Sequence, residues 1–100
     1  MTMPNGQEFT TTFPMDFAIA DRFGIKAVKD TYNRAFKEWK DDVQYMIEFV
    51  TTLNMKCWYW HEQGNIELSE VYSDLYYKAH YACLEHFKGD KARYYYSMVN

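Results

Sequence analysis

Two sets of side chains in this sequence have the types and spacing that metal or nucleophile chemistry needs: Cys57 with His61, and His80 with Cys83 and His86. Intervals of three and four residues stack side chains on one helix face, so each set would present thiol and imidazole together, the donors of a zinc site. Sharing one ion would require the two sets to meet. They flank the turn dipeptide Gly64-Asn65, and if the flanking segments are antiparallel helices, Cys57 and Cys83 are out of register by about 11 residues, roughly 16 Å at the helical rise. That exceeds shared coordination, and it exceeds the Cα separation of about 7 Å that a disulfide tolerates. Each set alone supplies too few ligands, so small core cysteines and partly buried histidines are the simpler expectation. Nucleophilic catalysis would also need an orienting third group and an anion-stabilising pocket, usually built on loops, and this chain has few loops. No glycine-rich phosphate loop, dinucleotide fingerprint or paired-carboxylate pattern occurs. The sequence predicts no catalytic residue, no metal and no cofactor. It points to a protein that works by binding.

The elements that carry these groups are helical. The stretch 16–40, DFAIADRFGIKAVKDTYNRAFKEWK, has a break at Phe23-Gly24 and then a clean segregation of charge from apolar residues. Ile25, Val28, Tyr32, Ala35, Phe36 and Trp39 follow one helix face, while Lys26, Lys29, Asn33, Lys37 and Lys40 recur on the other. Pro14 with Asp16 close behind starts a short first helix, about 14–23, which Gly24 ends. Asp41 and Asp42 are N-cap candidates for a third helix whose inner stripe is Val43, Met46, Ile47, Val50, Leu53, Asn54, Cys57 and Trp60 or His61. Beyond Gly64-Asn65, a fourth helix turns Leu68, Val71, Tyr72, Leu75, Ala79 and Phe87 inward; after Gly89 a last short one displays Tyr94, Tyr95 and Tyr96. The expected fold is all-α: a compact small helical bundle built on a long antiparallel hairpin (about 42–63 and 66–88), with a crossing helix (about 25–40) and short end helices. Residues 1–13 read as an extended N-terminal arm pinned by Phe9 and Phe13, and 14–100 as a single helical domain.

Composition narrows the kind of binding. In 100 residues there are ten Tyr, seven Phe and three Trp, more large rings than one core of this size needs at about 150–250 Å² each. The surplus suits an interface. Trp58, Tyr59 and Trp60 are consecutive, and helical neighbours point about 100° apart, so at least one faces out. The net charge of −3 names no partner, but it is unevenly spread. Over 22–40, six basic residues against two acidic ones leave +4, and over 41–74, seven acids against Lys56 leave −6. Either face can steer an encounter or simply be solvated. No basic-then-apolar leader pattern and no apolar run of about 18–20 residues occurs, and two cysteines suit a reducing compartment, so a cytoplasmic location without membrane association is expected.

A DNA-binding alternative comes from Ile19-Ala20-Asp21-Arg22-Phe23-Gly24-Ile25, which looks like the centre of a helix-turn-helix. The following helix would offer Lys26, Lys29, Asn33 and Lys37 to phosphates and base edges. Its second half departs from the motif: Asp30 stands where such a helix usually turns an apolar residue inward.

The segments TTF, DFAIADRFGIKAVKDTYNRAFKEWKDD, LYYKA and HFKGD, spread over about residues 10–97, resemble a family of small proteins carried by phages and prophages of gut Firmicutes. The resemblance implies a viral or mobile-element origin and no assigned catalytic residues. Small accessory proteins of such elements often inhibit bacterial defence nucleases, anti-CRISPR proteins among them, by occupying a surface of the nuclease. On that analogy the partner is a host protein complex such as a CRISPR effector nuclease, met in the cytoplasm of the bacterial host. The surface would combine Trp58, Tyr59 and Trp60 with Glu62, Glu67, Glu70 and Asp74 at the hairpin tip, acids suited to a basic nucleic-acid channel. A homodimer burying surplus aromatics fits either function.

Overall fold

The structure is a computed structural model that describes residues 2–99. Residues 1 and 100, the outer ends of the expected arm and helical domain, lie outside the described residues. The chain forms α1 (Phe13–Asp21), α2 (Ile25–Trp39), α3 (Val43–Glu62), α4 (Ile66–His86) and α5 (Asp90–Val99). This is the expected all-α bundle, and its densest packing is between α3 and α4.

The hairpin forms where its caps dictate. The Asp42 side chain accepts a hydrogen bond from the Tyr45 N–H at 3.1 Å and opens α3; Asn65 accepts one from the Leu68 N–H at 3.1 Å and opens α4. Each such cap stabilises its helix by roughly 1 kcal/mol. Gly64 supplies the left-handed φ of 79° that reverses the chain between them. Ser69 Oγ donates to the Cys57 carbonyl at 2.9 Å near the turn, and His86 Nε2 lies 2.8 Å from Asp41 at the far end, so α3 and α4 run antiparallel along their length.

α3 is the hub. Residues 46–50 are buried consecutively, with Thr52 and Leu53 beyond them. Successive side chains fan out by about 100°, so a run of five buried positions requires neighbours all round the helix. The single inner stripe expected for α3 omits Glu48 and Phe49 because it supposes one covered face. Phe49 faces α1 and α2 instead, with ring centroids 5.3 Å from Phe13, 6.0 Å from Phe17 and 5.2 Å from Tyr32. On α2, Val28 and Tyr32 are buried and Ile25, Ala35, Phe36 and Trp39 pack partly buried against the core, as the periodicity predicts.

Three local expectations change. α1 ends at Asp21 because the Arg22 and Phe23 N–H groups bond back to Ile19 and Ala20 three residues earlier, tightening the last turn. Tyr95 is 1% exposed, so α5 displays only Tyr94 and Tyr96 of its three tyrosines. Residues 2–8 of the expected arm turn back on themselves: Met3 N–H bonds to the Gln7 carbonyl, Gly6 N–H to that of Met3, and Thr2 bridges to Glu8. Met3 is 3% exposed.

Glu48 is the reason this segment docks. Its side chain is fully enclosed and accepts five hydrogen bonds: from the Thr10 N–H (2.7 Å) and hydroxyl, the Thr11 N–H (3.0 Å) and hydroxyl (3.0 Å), and the Gln44 amide (3.1 Å). Burial pushes the carboxyl pKa up, but the Thr10, Gln44 and backbone donors outweigh it and hold the group below the ordinary glutamate value.

Candidate functional site

The end of the hairpin around Gly64 gathers most of the residues the sequence singles out. Trp58 is 60% exposed and Tyr59 48%. Trp58 packs edge-on to His61 at 5.9 Å, and Trp58 and Glu62 share a face of α3 four residues apart. Across the turn, Glu67, Glu70 and Asp74 follow intervals of three and four on α4. All four acids are exposed, and none has a basic partner among the described residues. Lys78, four residues after Asp74, instead holds its ammonium 5.4 Å from the centre of the Tyr32 ring. The hairpin therefore ends in four unneutralised carboxylates with two exposed rings.

Trp60 does not join that surface. It is half-buried, and its indole N–H donates to Asp21 Oδ2 at 3.2 Å. The same carboxylate accepts the Tyr72 hydroxyl at 2.5 Å and pairs with Lys56 Nζ at 2.5 Å. Asp21 is 5% exposed and Lys56 17% at their side chains, and the Lys56 ammonium also lies 5.1 and 5.4 Å from the Tyr59 and Trp60 ring centres. Burial, then the Asp21 carboxylate, drives the Tyr72 hydroxyl pKa far above its ordinary value, so Tyr72 stays a donor. This node of Asp21, Lys56, Trp60 and Tyr72 joins α1, α3 and α4, and residue spacing does not reveal it. The available signal is Asp21 itself: a carboxylate on the last residue of a helix with no basic residue in that turn opposes the helix dipole and requires a partner.

The residues of the DNA-binding alternative are placed differently. Lys26, Lys29, Asn33 and Lys37 are all exposed on α2, and Lys26 pairs with Asp30 at 2.8 Å in solvent. Asp30 thus points outward and escapes the burial cost that its motif position implied. Of the motif's apolar set, Ala20 is buried and Ile25 half-buried, but Ile19 is 49% and Phe23 77% exposed. With Met15, 64% exposed, they make an outward apolar stripe at four-residue intervals, opposite the buried Phe13, Phe17 and Ala20. α1 is apolar on both sides, a signal visible in FPMDFAIAD that the helix-turn-helix expectation masked.

The thiol and imidazole sets stay apart. Cys57 is half-buried beside Ser69; Cys83 is buried, which pushes its thiol up to about 11. His80 Nδ1 lies 2.8 Å from the Tyr95 hydroxyl, and burial lowers its pKa. Among the described residues, no group of three or more His, Cys, Asp or Glu side chains is placed to hold a metal ion.

Fold and surface together define an all-α five-helix bundle whose hairpin end is acidic and aromatic. No family model, curated protein or solved structure matches the chain. Among the described residues no helix is long and apolar enough to cross a membrane.

Proposed function

We propose that this protein acts without catalysis, as a phage-encoded inhibitor that covers a basic surface or nucleic-acid channel of a host defence nuclease of the CRISPR effector kind. The observation that carries the proposal is the set of four exposed, unneutralised carboxylates, Glu62, Glu67, Glu70 and Asp74, at the hairpin end that also exposes Trp58 and Tyr59. Carboxylates held on rigid helices compete with phosphates for Lys and Arg, speed encounter with a basic partner and repel nucleic acid. Exposed Trp and Tyr add broad contact area with few rotatable bonds. The resemblance to phage proteins supplies the kind of partner. In this role Trp60 supports the surface through Asp21 rather than touching the partner.

The test is retention of a nuclease complex from nuclease-treated host lysate on the immobilised protein, together with inhibition of its cleavage activity. Glu67→Lys with Glu70→Lys is expected to abolish both while leaving the helical circular dichroism intact. Unchanged inhibition by that charge-reversed protein would exclude the tip.

The exposed, unpaired Lys29 and Lys37 on α2 favour a second function, DNA binding. In that case Lys29→Ala with Lys37→Ala weakens retention on DNA and flattens its salt dependence. No retention at low salt by the unaltered protein would end it.

A further inference from the structure

Between α1 and α3 lies a cavity of about 550 Å³, within the roughly 300–1,000 Å³ of small-molecule sites. Its apolar walls are Phe9, Pro14, Ala18, Met55 and the rings of Tyr59 and Trp60. The charged groups at its edge are Asp21, Arg22 and Lys56. Asp21 is already neutralised and engaged, with Tyr72 on one oxygen and Lys56 and Trp60 on the other. Lys56 is held by that pair against the Tyr59 and Trp60 rings. Arg22 is exposed and has no carboxylate partner among the described residues. The unmatched charge of the cavity is therefore a cation, with five guanidinium N–H donors suited to a planar or tetrahedral anion. The walls are set before any ligand arrives: the Asp21 node fixes the end of α1 and the orientation of the Trp60 indole.

We propose that this cavity binds a small apolar anion, an aromatic ring system or short acyl chain lying against Tyr59 and Trp60 with a single carboxylate or sulfonate reaching Arg22. The ring or chain replaces water on the apolar walls, and the anion gains a charge-assisted hydrogen bond that a neutral molecule cannot make. The site goes beyond the proposed inhibition: it lies on α1 and α3, takes a different ligand and shares only Tyr59 with the acidic tip.

The test titrates the purified protein with 8-anilinonaphthalene-1-sulfonate and, in parallel, with the uncharged N-phenyl-1-naphthylamine, following probe fluorescence and the assigned Trp60 indole N–H resonance. Saturable one-to-one binding of the sulfonate that moves the Trp60 resonance is expected. Arg22→Ala, a change at an exposed position, should weaken the sulfonate about tenfold, the effect of one hydrogen bond to a charged group, and leave the neutral probe unchanged. Ala18→Trp, which fills the cavity from α1, should remove both. Absence of saturable sulfonate binding, a Trp60 resonance that stays put, or equal weakening of both probes by Arg22→Ala would overturn the proposal. Because Glu67 and Glu70 lie outside the cavity, their charge-reversed variant should bind the sulfonate normally whether or not it still captures a nuclease.

Discussion

The Asp21 carboxylate receives the Tyr72 hydroxyl at 2.5 Å, joining the last residue of α1 to the second turn of α4 across 51 sequence positions. With Lys56 and the Trp60 indole on its other oxygen, Asp21 becomes the polar pin of an otherwise apolar packing layer. The consequence is mechanical: α1, one wall of the apolar cavity, is anchored at both ends, by Asp21 at one and by the Glu48-bound threonines just before the other.

Asp21→Ala should destabilise the fold by about 3 kcal/mol, because it removes the partner of the largely buried Lys56 ammonium and leaves the Tyr72 hydroxyl only the Phe17 carbonyl at 3.5 Å. Tyr72→Phe, which removes one donor from a carboxylate that keeps two others, should cost about 1 kcal/mol. Urea unfolding of both variants checks the order; a smaller loss for Asp21→Ala than for Tyr72→Phe would contradict the pinning role.

The Glu48 clamp makes an acid-sensitive contribution of definite sign. Its folded pKa is depressed below the ordinary 4.5, so its stabilisation is complete above that value and is lost as pH falls through the folded pKa. Glu48→Gln should cost about 2 kcal/mol at neutral pH and give a variant whose stability falls less steeply in acid. Amide exchange at Thr10 and Thr11 should accelerate in that variant, since those two N–H groups donate to the carboxylate.

Tyr32 offers the opposite case. Its ring is 2% exposed, but its hydroxyl is buried without a hydrogen-bond partner, and burial pushes its pKa up to about 12. Tyr32→Phe removes a desolvated group that gains nothing in the fold, so it should leave stability unchanged or raise it by up to about 1 kcal/mol. Because its folded pKa lies above the unfolded value of 10.0, ionisation of this hydroxyl leaves stability untouched below 10.0 and lowers it as pH rises from there through about 12. Thermal melts of the two proteins between neutral and alkaline pH measure both effects, and the variant should lose less stability above pH 10.

The consecutive aromatics at the tip should separate cleanly. Trp58→Ala changes a 60% exposed ring and is expected to shift stability by no more than about 0.5 kcal/mol while weakening partner capture. Trp60→Ala removes a packed ring and the indole donor to Asp21, and should cost about 3 kcal/mol. Equal costs for the two would refute the division of this stretch into a surface residue and a supporting one.

The helices and their ends were legible from local rules. The 3.6-residue period of Ile25, Val28, Tyr32 and Phe36, the cap at Asp42 and the turn at Gly64-Asn65 each depend on residues a few positions apart, which a sequence displays directly. The shared face of Glu67, Glu70 and Asp74 was legible for the same reason, since they recur at intervals of three and four on one helix. What waited for the packed structure is every relationship set by the other helices. Periodicity puts Trp60 or His61 on the inner stripe and turns at least one of the three consecutive aromatics outward; it cannot say that Trp60 meets Asp21 of α1. Glu48 reads as one more surface acid of α3 until Thr10 and Thr11 arrive from 38 and 37 positions away, and Asp21 reads as one more polar residue of the first helix until α3 and α4 close over it. A helix has as many faces as it has neighbours, and the number of neighbours is a property of the packing rather than of the period.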